Sequence, residues 1–145
     1  MPHRGLSADG FERTLQHNYL APFLLTTLLL PTLTPSGARV IGTASVANTF
    51  SPLRLDDLQW RRRPYLSGWQ VYGAASGRFA ISTEQGATPL VHLAMADPVG
   101  APSGTCFDGL SPNGRVHRTA RDDTTAAELW DRSAQLVAPQ PGVAR

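Results

Sequence analysis

Asn18 is the first of three polar side chains that stand where they could take part in chemistry. It lies within an apolar helical stretch, four residues before Pro22. Because proline has no N–H, the carbonyl of Asn18 loses its helical donor and becomes free for water or another partner. The alternative is a proline-kinked core helix whose Asn is simply hydrogen-bonded, since a buried amide costs free energy when it is unpaired.

The other two candidates are hydroxyl groups. Ser45 closes a short β-prone run, Ala38–Ser45, and in parallel sheets sites form at the carboxyl ends of strands. Tyr72 lies in a glycine-weakened helical stretch, and Ser76 follows one turn later on the same helical face. We therefore expect Asn18 and Ser45 at the same end of a sheet.

The segment that must position Asn18 is the long helix predicted within Asp9–Leu33. Its apolar residues recur at helical spacing: Phe11, Leu15, Tyr19, Phe23, Leu24 and Leu28. From Leu20 to Leu30 they wrap nearly the whole helix, which predicts burial on several sides. Ser7 is predicted to cap the start of the helix. Pro31, with the turn at Thr34–Gly37, is predicted to end it.

The rest of the chain alternates between helical and extended patterns. A long helix that leads by a tight turn into a strand is the αβ unit of a parallel sheet. Later elements are predicted as a helix over Ser82–Ala96 that Pro89 kinks or delays, a terminal strand at Gly104–Phe107, an amphipathic helix over Asp122–Val137, and a flexible tail over 138–145.

Composition narrows the class of protein. The chain has 145 residues and a net charge of +2, enough for one domain with no strong attraction to nucleic acid or membrane. All 13 basic residues are Arg, which suggests a GC-rich bacterial genome. A single Cys106 excludes an internal disulfide, and we expect a cytoplasmic protein without a signal peptide or membrane span. No spacing of ligands predicts a metal site.

Five stretches in order resemble the second half of a short-chain dehydrogenase/reductase, in the branch of retinol-dehydrogenase-like and WW-domain-oxidoreductase-like proteins. They are ADGFERTLQHNYLAPFLLTTLLLPTL, ARVIGTASVA, LRLDDLQW with RRRPYLSGWQVYG, STEQGATPLVHLA, and ARDDTTAAELWDRSAQLV. Together they cover most of Ser7–Val137. The resemblance implies an α/β fold over residues 1–137, an incomplete doubly wound, Rossmann-like parallel sheet flanked by helices.

The resemblance also implies a function and a catalytic set. The family interconverts alcohols and carbonyls with NAD or NADP, and its Asn, Ser and Tyr fall on Asn18, Ser45 and Tyr72. Tyr72 would exchange a proton with the oxygen of a small-molecule alcohol or carbonyl, and Ser45 would hold that oxygen by a hydrogen bond. The carbonyl of Asn18 would hold a relay water. Residues that bind the cofactor are not assigned.

The chain departs from the family pattern in three places. The family's Lys, four residues after the Tyr, is replaced by Ser76, which supplies no charge to lower the Tyr72 pKa. The glycine-rich dinucleotide loop has no counterpart, and a block between Ala80 and Ser82 is absent. We therefore predict that this chain alone does not bind the cofactor.

Three interpretations follow from these departures: a shortened, catalytically impaired oxidoreductase, a non-catalytic relic or interaction module, or a scaffold reused without a cofactor. An incomplete sheet would expose edges and apolar helix faces, which favours self-association.

Overall fold

The computed structural model describes residues 4–44, 53–62, 64–65 and 83–138. Along these residues the elements are α1 (Arg13–Leu15), a π-helical turn (Gln16–Leu20), α2 (Ala21–Ser36), a 3-10 turn (Leu55–Asp57), α3 (Thr83–Met95), β1 (Phe107–Asp108), β2 (Ser111–Pro112), a second 3-10 turn (Arg118–Arg121) and α4 (Asp123–Val137). α1, the π turn and α2 follow one another without a break and form the predicted long helix.

The start of the long helix is capped by Glu12 and not by Ser7, so that prediction was wrong. The Glu12 carboxylate accepts hydrogen bonds from the backbone N–H groups of Thr14 (3.0 Å) and Leu15 (2.7 Å). Ser7 instead closes the turn that precedes the helix, where its Oγ accepts from the N–H of Phe11 at 3.2 Å. A carboxylate on a longer side chain reaches the free N–H groups of the first turn as well as a serine hydroxyl does.

The helix ends later than predicted, because Pro31 and Pro35 both lie inside α2. Gly37 terminates it in the left-handed conformation with φ 61°, and its N–H donates to the carbonyls of Leu33 and Thr34. The N–H of Ala38 also donates to the carbonyl of Leu33, at 3.2 Å. A proline removes one helical donor, but only the left-handed turn at glycine redirects the chain.

The predicted strand at Ala38–Ser45 is absent from its described part, since residues 38–44 have no regular secondary structure. The described residues contain one sheet, the antiparallel hairpin of β1 and β2, in which Phe107 pairs with Pro112 and Asp108 with Ser111. The predicted terminal strand overlaps this hairpin at Phe107. The described residues are thus mixed helix with a small hairpin, which is compatible with part of an α/β fold but does not contain the predicted parallel sheet.

Residues 38–44 are held beside α3 by one side chain. The guanidinium of Arg39 donates to the carbonyl of Leu93 at 3.2 Å and to that of Ala96, and it lies 3.6 Å from the carboxylate of Asp97. A cation at the carboxyl end of a helix is stabilised by the free carbonyls and by the helix dipole. The α3 helix itself matches the predicted span, with Pro89 inside it.

α4 confirms its prediction to within one residue. Asp122 caps it, and the hydrogen bonds from the hydroxyl and the backbone N–H of Thr125 hold the pKa of the Asp122 carboxyl below its ordinary value. Its apolar side faces the long helix: Phe23 and Trp130 meet edge to face with ring centroids 4.9 Å apart. The hydroxyls of Tyr19 and Ser133 lie 2.9 Å apart, and Ser133 is fully buried.

Burial of α2 is much smaller than its sequence predicts. Leu20 (3% exposed) is the only apolar side chain of the described residues that is fully buried. Four leucines of α2 are exposed: Leu25, Leu28, Leu29 and Leu30. Burial depends on which neighbours cover a helix, and the described residues place only α4 against it, so the prediction of burial on several sides was wrong.

We expect the contact between α2 and α4 to stabilise the folded protein. We expect Phe23→Ala to lower the free energy of unfolding by about 2 kcal/mol, because it removes the aromatic pair and part of the packing between the two helices. Leu28→Ala is the matched control on the same helix, since Leu28 is 69% exposed, and we expect a change within about 0.5 kcal/mol. Urea unfolding followed by circular dichroism measures both; equal effects would contradict the packing described here.

Candidate functional site

Asn18 lies in the π-helical turn Gln16–Leu20, immediately before the proline that the sequence marks as unusual. In this turn the N–H of Ala21 donates to the carbonyl of Gln16, five residues back. Pro22 has no N–H to continue either ladder, so the helix widens where the sequence predicts an irregularity. The side chain of Asn18 is exposed, so it is not the buried amide that its apolar surroundings suggested.

Neighbouring side chains fix the π turn on several sides and leave Asn18 facing solvent. Nε2 of Gln16 donates to a carboxylate oxygen of Asp9 at 2.7 Å. Tyr19 is held by Ser133, and Leu20 is buried. π turns of this kind occur often at functional sites. The arrangement presents the amide of Asn18 from a turn that is anchored on both flanks.

A buried carboxylate ties a second segment to this helix. Glu12 is 2% exposed, and the hydroxyl of Tyr65 donates to its Oε1 at 3.2 Å. The same hydroxyl lies 3.3 Å from Oγ1 of Thr14. Thr14 precedes Asn18 by four residues, so the two share one helical face. Tyr65 therefore contacts the long helix about one turn before Asn18.

The segment before Tyr65 is held by hydrogen bonds within it and by two arginine side chains from other parts of the chain. Asp57, 6% exposed, accepts from the N–H groups of Arg61 (2.7 Å) and Arg62 (3.2 Å). The side chain of Arg4 donates to the carbonyl of Gln59 at 2.9 Å, and that of Arg132 donates to the carbonyl of Leu55 at 2.7 Å. Residues 53–65, as far as they are described, are thus anchored to the beginning of the chain and to α4.

Ser45, Tyr72 and Ser76 lie outside the described residues, so their positions relative to Asn18 stay predictions. Ala44, the residue before Ser45, lines an open groove of about 1070 Å³. The groove runs between residues 38–44, one side of α3 and the loop that leads into β1.

The described residues do not fit a whole dinucleotide. A pyrophosphate is bound by the N–H groups of a glycine-rich turn that opens a helix, and neither the long helix nor α4, whose starts are described, opens with such a turn. Two arginines line the groove, Arg39 and Arg115, and Arg39 is already engaged by the end of α3 and by Asp97. Among the described residues there is also no group of three or more His, Cys, Asp and Glu side chains that could hold a metal ion.

Sequence comparison finds related enzymes. Human retinol dehydrogenase 13 is 29% identical over 182 aligned positions, which cover 89% of this chain and 55% of that protein. Mouse retinol dehydrogenase 12 is 28% identical and covers 92% of this chain and 57% of that protein. Human polyprenol dehydrogenase is 48% identical over 56 positions, 35% of this chain and 17% of that protein.

This chain is similar in sequence to retinol dehydrogenases and other oxidoreductases of the short-chain dehydrogenase/reductase family. The resemblance to this family is thereby confirmed, whereas the assignment to its second half stays a prediction. The chain spans about half the length of the retinol dehydrogenases that it matches. No protein-family profile matches it, and no solved structure matches it.

The aligned region is longer in the retinol dehydrogenase than in this chain. The alignment with retinol dehydrogenase 13 is 182 positions long, whereas the whole chain has 145 residues. The retinol dehydrogenase therefore has residues inside the matched region that have no counterpart here. This is consistent with the predicted absence of a block between Ala80 and Ser82.

No helix in the part of the chain that the structure describes has the length and apolar character needed to cross a bilayer.

Sequence reasoning missed Glu12 and Tyr65 as the pair that positions the loop beside Asn18. From the sequence, Glu12 is only an acidic residue near the positive end of the helix dipole, and nothing singles out Tyr65. Pattern analysis finds residues within one element, whereas this hydrogen bond joins positions 53 residues apart. The only signal in the sequence was an acidic residue next to the predicted helix start.

The anchoring of Tyr65 can be tested by removing its hydroxyl. We expect Tyr65→Phe to lower the free energy of unfolding by about 1 kcal/mol, because Glu12 stays buried with one donor fewer. We also expect faster trypsin cleavage after Arg61 and Arg62. Tyr19→Phe is the matched control, since it removes a hydroxyl on the other flank of the helix; cleavage at these two sites that rises equally in both variants would contradict a local anchor.

Proposed function

We propose that this chain carries the substrate-polarising and proton-transfer residues of an alcohol/carbonyl oxidoreductase of the short-chain dehydrogenase/reductase type, and that the chain alone is catalytically impaired. The match to a retinol dehydrogenase over 89% of the chain supports the reaction class. Ser76, in the place of the family's Lys, supports the impairment. In this proposal the substrate is a small alcohol or carbonyl compound, and the chain works in the cytoplasm.

The proposed catalytic set is Asn18, Ser45 and Tyr72, and the described geometry is compatible with it. Tyr65 contacts the long helix about one turn before Asn18, and Tyr72 follows seven residues later, within a reach of about 24 Å. Ser45 follows directly on Ala44 at the groove. The segments that carry Ser45 and Tyr72 lie outside the described residues, so the meeting of the three side chains is part of the proposal.

Each proposed residue has a distinct task. The phenol of Tyr72 exchanges a proton with the substrate oxygen, and the hydroxyl of Ser45 holds that oxygen by a hydrogen bond. The carbonyl of Asn18, four residues before Pro22, holds a water that relays the proton. Oε1 of Gln16, in the same π turn, is buried without a hydrogen-bond partner. An acceptor of this kind is commonly satisfied by an ordered water, which supports a hydrated π turn.

The impairment has an electrostatic and a geometric cause. A phenol loses its proton near neutral pH only when a positive charge stands close by, and Ser76 supplies none. The chain contains no Lys at all. The described residues do not fit a dinucleotide. NAD or NADP is therefore a cofactor of the family reaction and is not assigned to this chain alone.

The alternative is a non-catalytic relic, interaction module or reused scaffold. One observation favours it: within the described residues a single apolar side chain is fully buried, while leucines of α2 and the segment 38–44 are exposed. Surfaces of this kind are typical of a protein that associates with something else. Both proposals predict that this chain alone does not bind the cofactor, and they differ in whether Asn18, Ser45 and Tyr72 still act on a substrate.

Cofactor binding is the direct test. We expect calorimetric titration of this chain with NADH and with NADPH to show no binding at micromolar concentrations, because neither a glycine-rich turn for the pyrophosphate nor a Lys for the ribose is present. A full-length retinol dehydrogenase measured in parallel is the positive control. A micromolar or tighter dissociation constant for this chain would contradict the proposed impairment.

The missing charge is testable separately. We expect Ser76→Lys to lower the pKa of Tyr72, because an ammonium group one helical turn away favours the phenolate. We expect no dehydrogenase activity to appear, since cofactor placement contributes more than one tuned pKa. Ultraviolet titration measures tyrosine ionisation, with Tyr72→Phe to assign the signal.

Ser76→Gln is the matched control for that titration, a long side chain without charge. An equal shift with Gln would show that the effect is not electrostatic. No shift with Lys would show that positions 72 and 76 do not face each other.

A further inference from the structure

Within the described part of the chain, the backbone of segment 38–44 has a single hydrogen bond, at its first residue. The N–H of Ala38 belongs to the cap of α2 and donates to Leu33. From Arg39 to Ala44, within the described part of the chain, no backbone N–H or carbonyl forms a hydrogen bond. All seven residues are exposed. Water satisfies these groups while the segment stays alone. An extended partner along one edge would satisfy the groups of alternate residues together, since the N–H and carbonyl groups of a strand point to its two edges in turn.

The side chains of this segment favour pairing with another strand. Its centre, Val40 and Ile41, is β-branched and apolar, with exposed fractions of 60% and 37%. Sheet edges are commonly protected by Pro, Lys or a covering element; the segment contains neither of these residues. Its one charged side chain, Arg39, is turned to the end of α3 and to Asp97.

Space for a partner lies alongside. The open groove of about 1070 Å³ borders the whole segment, with Leu90 and Leu93 of α3 and Phe107 of β1 among its apolar lining. A strand laid along the segment would cover part of these side chains. Main-chain hydrogen bonds to an exposed edge, combined with apolar contacts on alternate positions, are the usual basis of strand addition.

We propose that residues 38–44 pair antiparallel with the same segment of a second copy of this chain. In the register that pairs all seven residues, Ile41 faces Ile41, Arg39 faces Thr43 and Ala38 faces Ala44. No like charges stand opposite each other, and the one cation is neutralised within its own copy by Asp97 and the carbonyls of α3. One contact satisfies two identical open edges, and a two-fold interface closes at the dimer. This proposal is independent of any oxidoreductase activity.

The two-fold axis provides a specific test, because residue 41 of one copy faces residue 41 of the other. The experiment measures the dissociation constant of the dimer by sedimentation equilibrium for the unaltered chain, Ile41→Lys, Ile41→Glu and an equimolar mixture of the two variants. We expect a dimer for the unaltered chain and a dissociation constant raised at least about tenfold in each variant alone. We expect the mixture to recover, because Lys then faces Glu.

Leu28→Lys and Leu28→Glu, on the exposed side of α2, are the matched controls. We expect neither these variants nor their mixture to change the dissociation constant of the dimer. Far-ultraviolet circular dichroism of every variant checks that the helices are retained. A monomer at every concentration, recovery absent in the Ile41 mixture, or loss of the dimer in the Leu28 variants would each overturn the proposal.

Disulfide trapping gives a second readout in a Cys106→Ala background. Ile41→Cys is expected to form a disulfide-linked dimer on mild oxidation, since facing residues of antiparallel strands lie within bonding distance. Thr43→Cys is expected to stay unlinked, because position 43 faces position 39. Linking at 43 and not at 41 would overturn the proposed pairing.

Discussion

The contact between the long helix and α4 connects the two ends of the described chain. Tyr19 and Phe23 meet Ser133 and Trp130, positions more than a hundred residues away in sequence. Ser133 is fully buried, and its hydroxyl also donates to the carbonyl of Leu129 at 2.6 Å, so each polar group at this contact has a partner. The π turn that presents Asn18 includes Tyr19, and its orientation therefore depends on α4. Glu12 adds a second anchor, since it caps the helix and holds Tyr65.

Two surfaces have no covering neighbour among the described residues. One is the leucine-rich side of α2, and the other is the backbone edge of residues 38–44. Both have the composition of interior elements: leucine on all sides of a helix, and β-branched residues in an extended run. The retinol dehydrogenases that match this chain are nearly twice as long as the matched region. The sequence of these elements is therefore adapted to neighbours that the described part of this chain does not supply.

The proposed chemistry separates into parts that this chain retains and parts that it lacks. It keeps an Asn in an irregular helical turn, a Ser after the following segment and a Tyr beyond that, in the order of the family. In the proposal it lacks the family's Lys, which Ser76 replaces, and a glycine-rich turn whose N–H groups would bind a pyrophosphate. The retained groups can hold a substrate oxygen and a proton, whereas the missing groups set the pKa of the acid and place the cofactor. The proposed reaction needs both the charge of the Lys and the turn that places the cofactor. Restoring one of them would therefore not replace the other.

The sequence by itself determined the elements whose signals are local. α4 begins and ends within a residue of the prediction, because Asp122 at the cap and one apolar stripe specify it without help from distant residues. The long helix and α3 were also predicted, and Pro22 marked the position where the long helix departs from α geometry.

Tertiary structure decided the features that depend on neighbours. Glu12, and not the predicted Ser7, caps the long helix. The hydroxyl of Tyr65, 53 residues away, donates to the same carboxylate. The residue pattern of segment 38–44 predicts a strand, but a strand forms only when another chain segment pairs with it through hydrogen bonds. The leucines of α2 predict a core helix, but whether they are buried depends on which segments pack against them. Asn18 became exposed for the same reason: spacing along a helix identifies a face, and only packing decides whether that face meets protein or water.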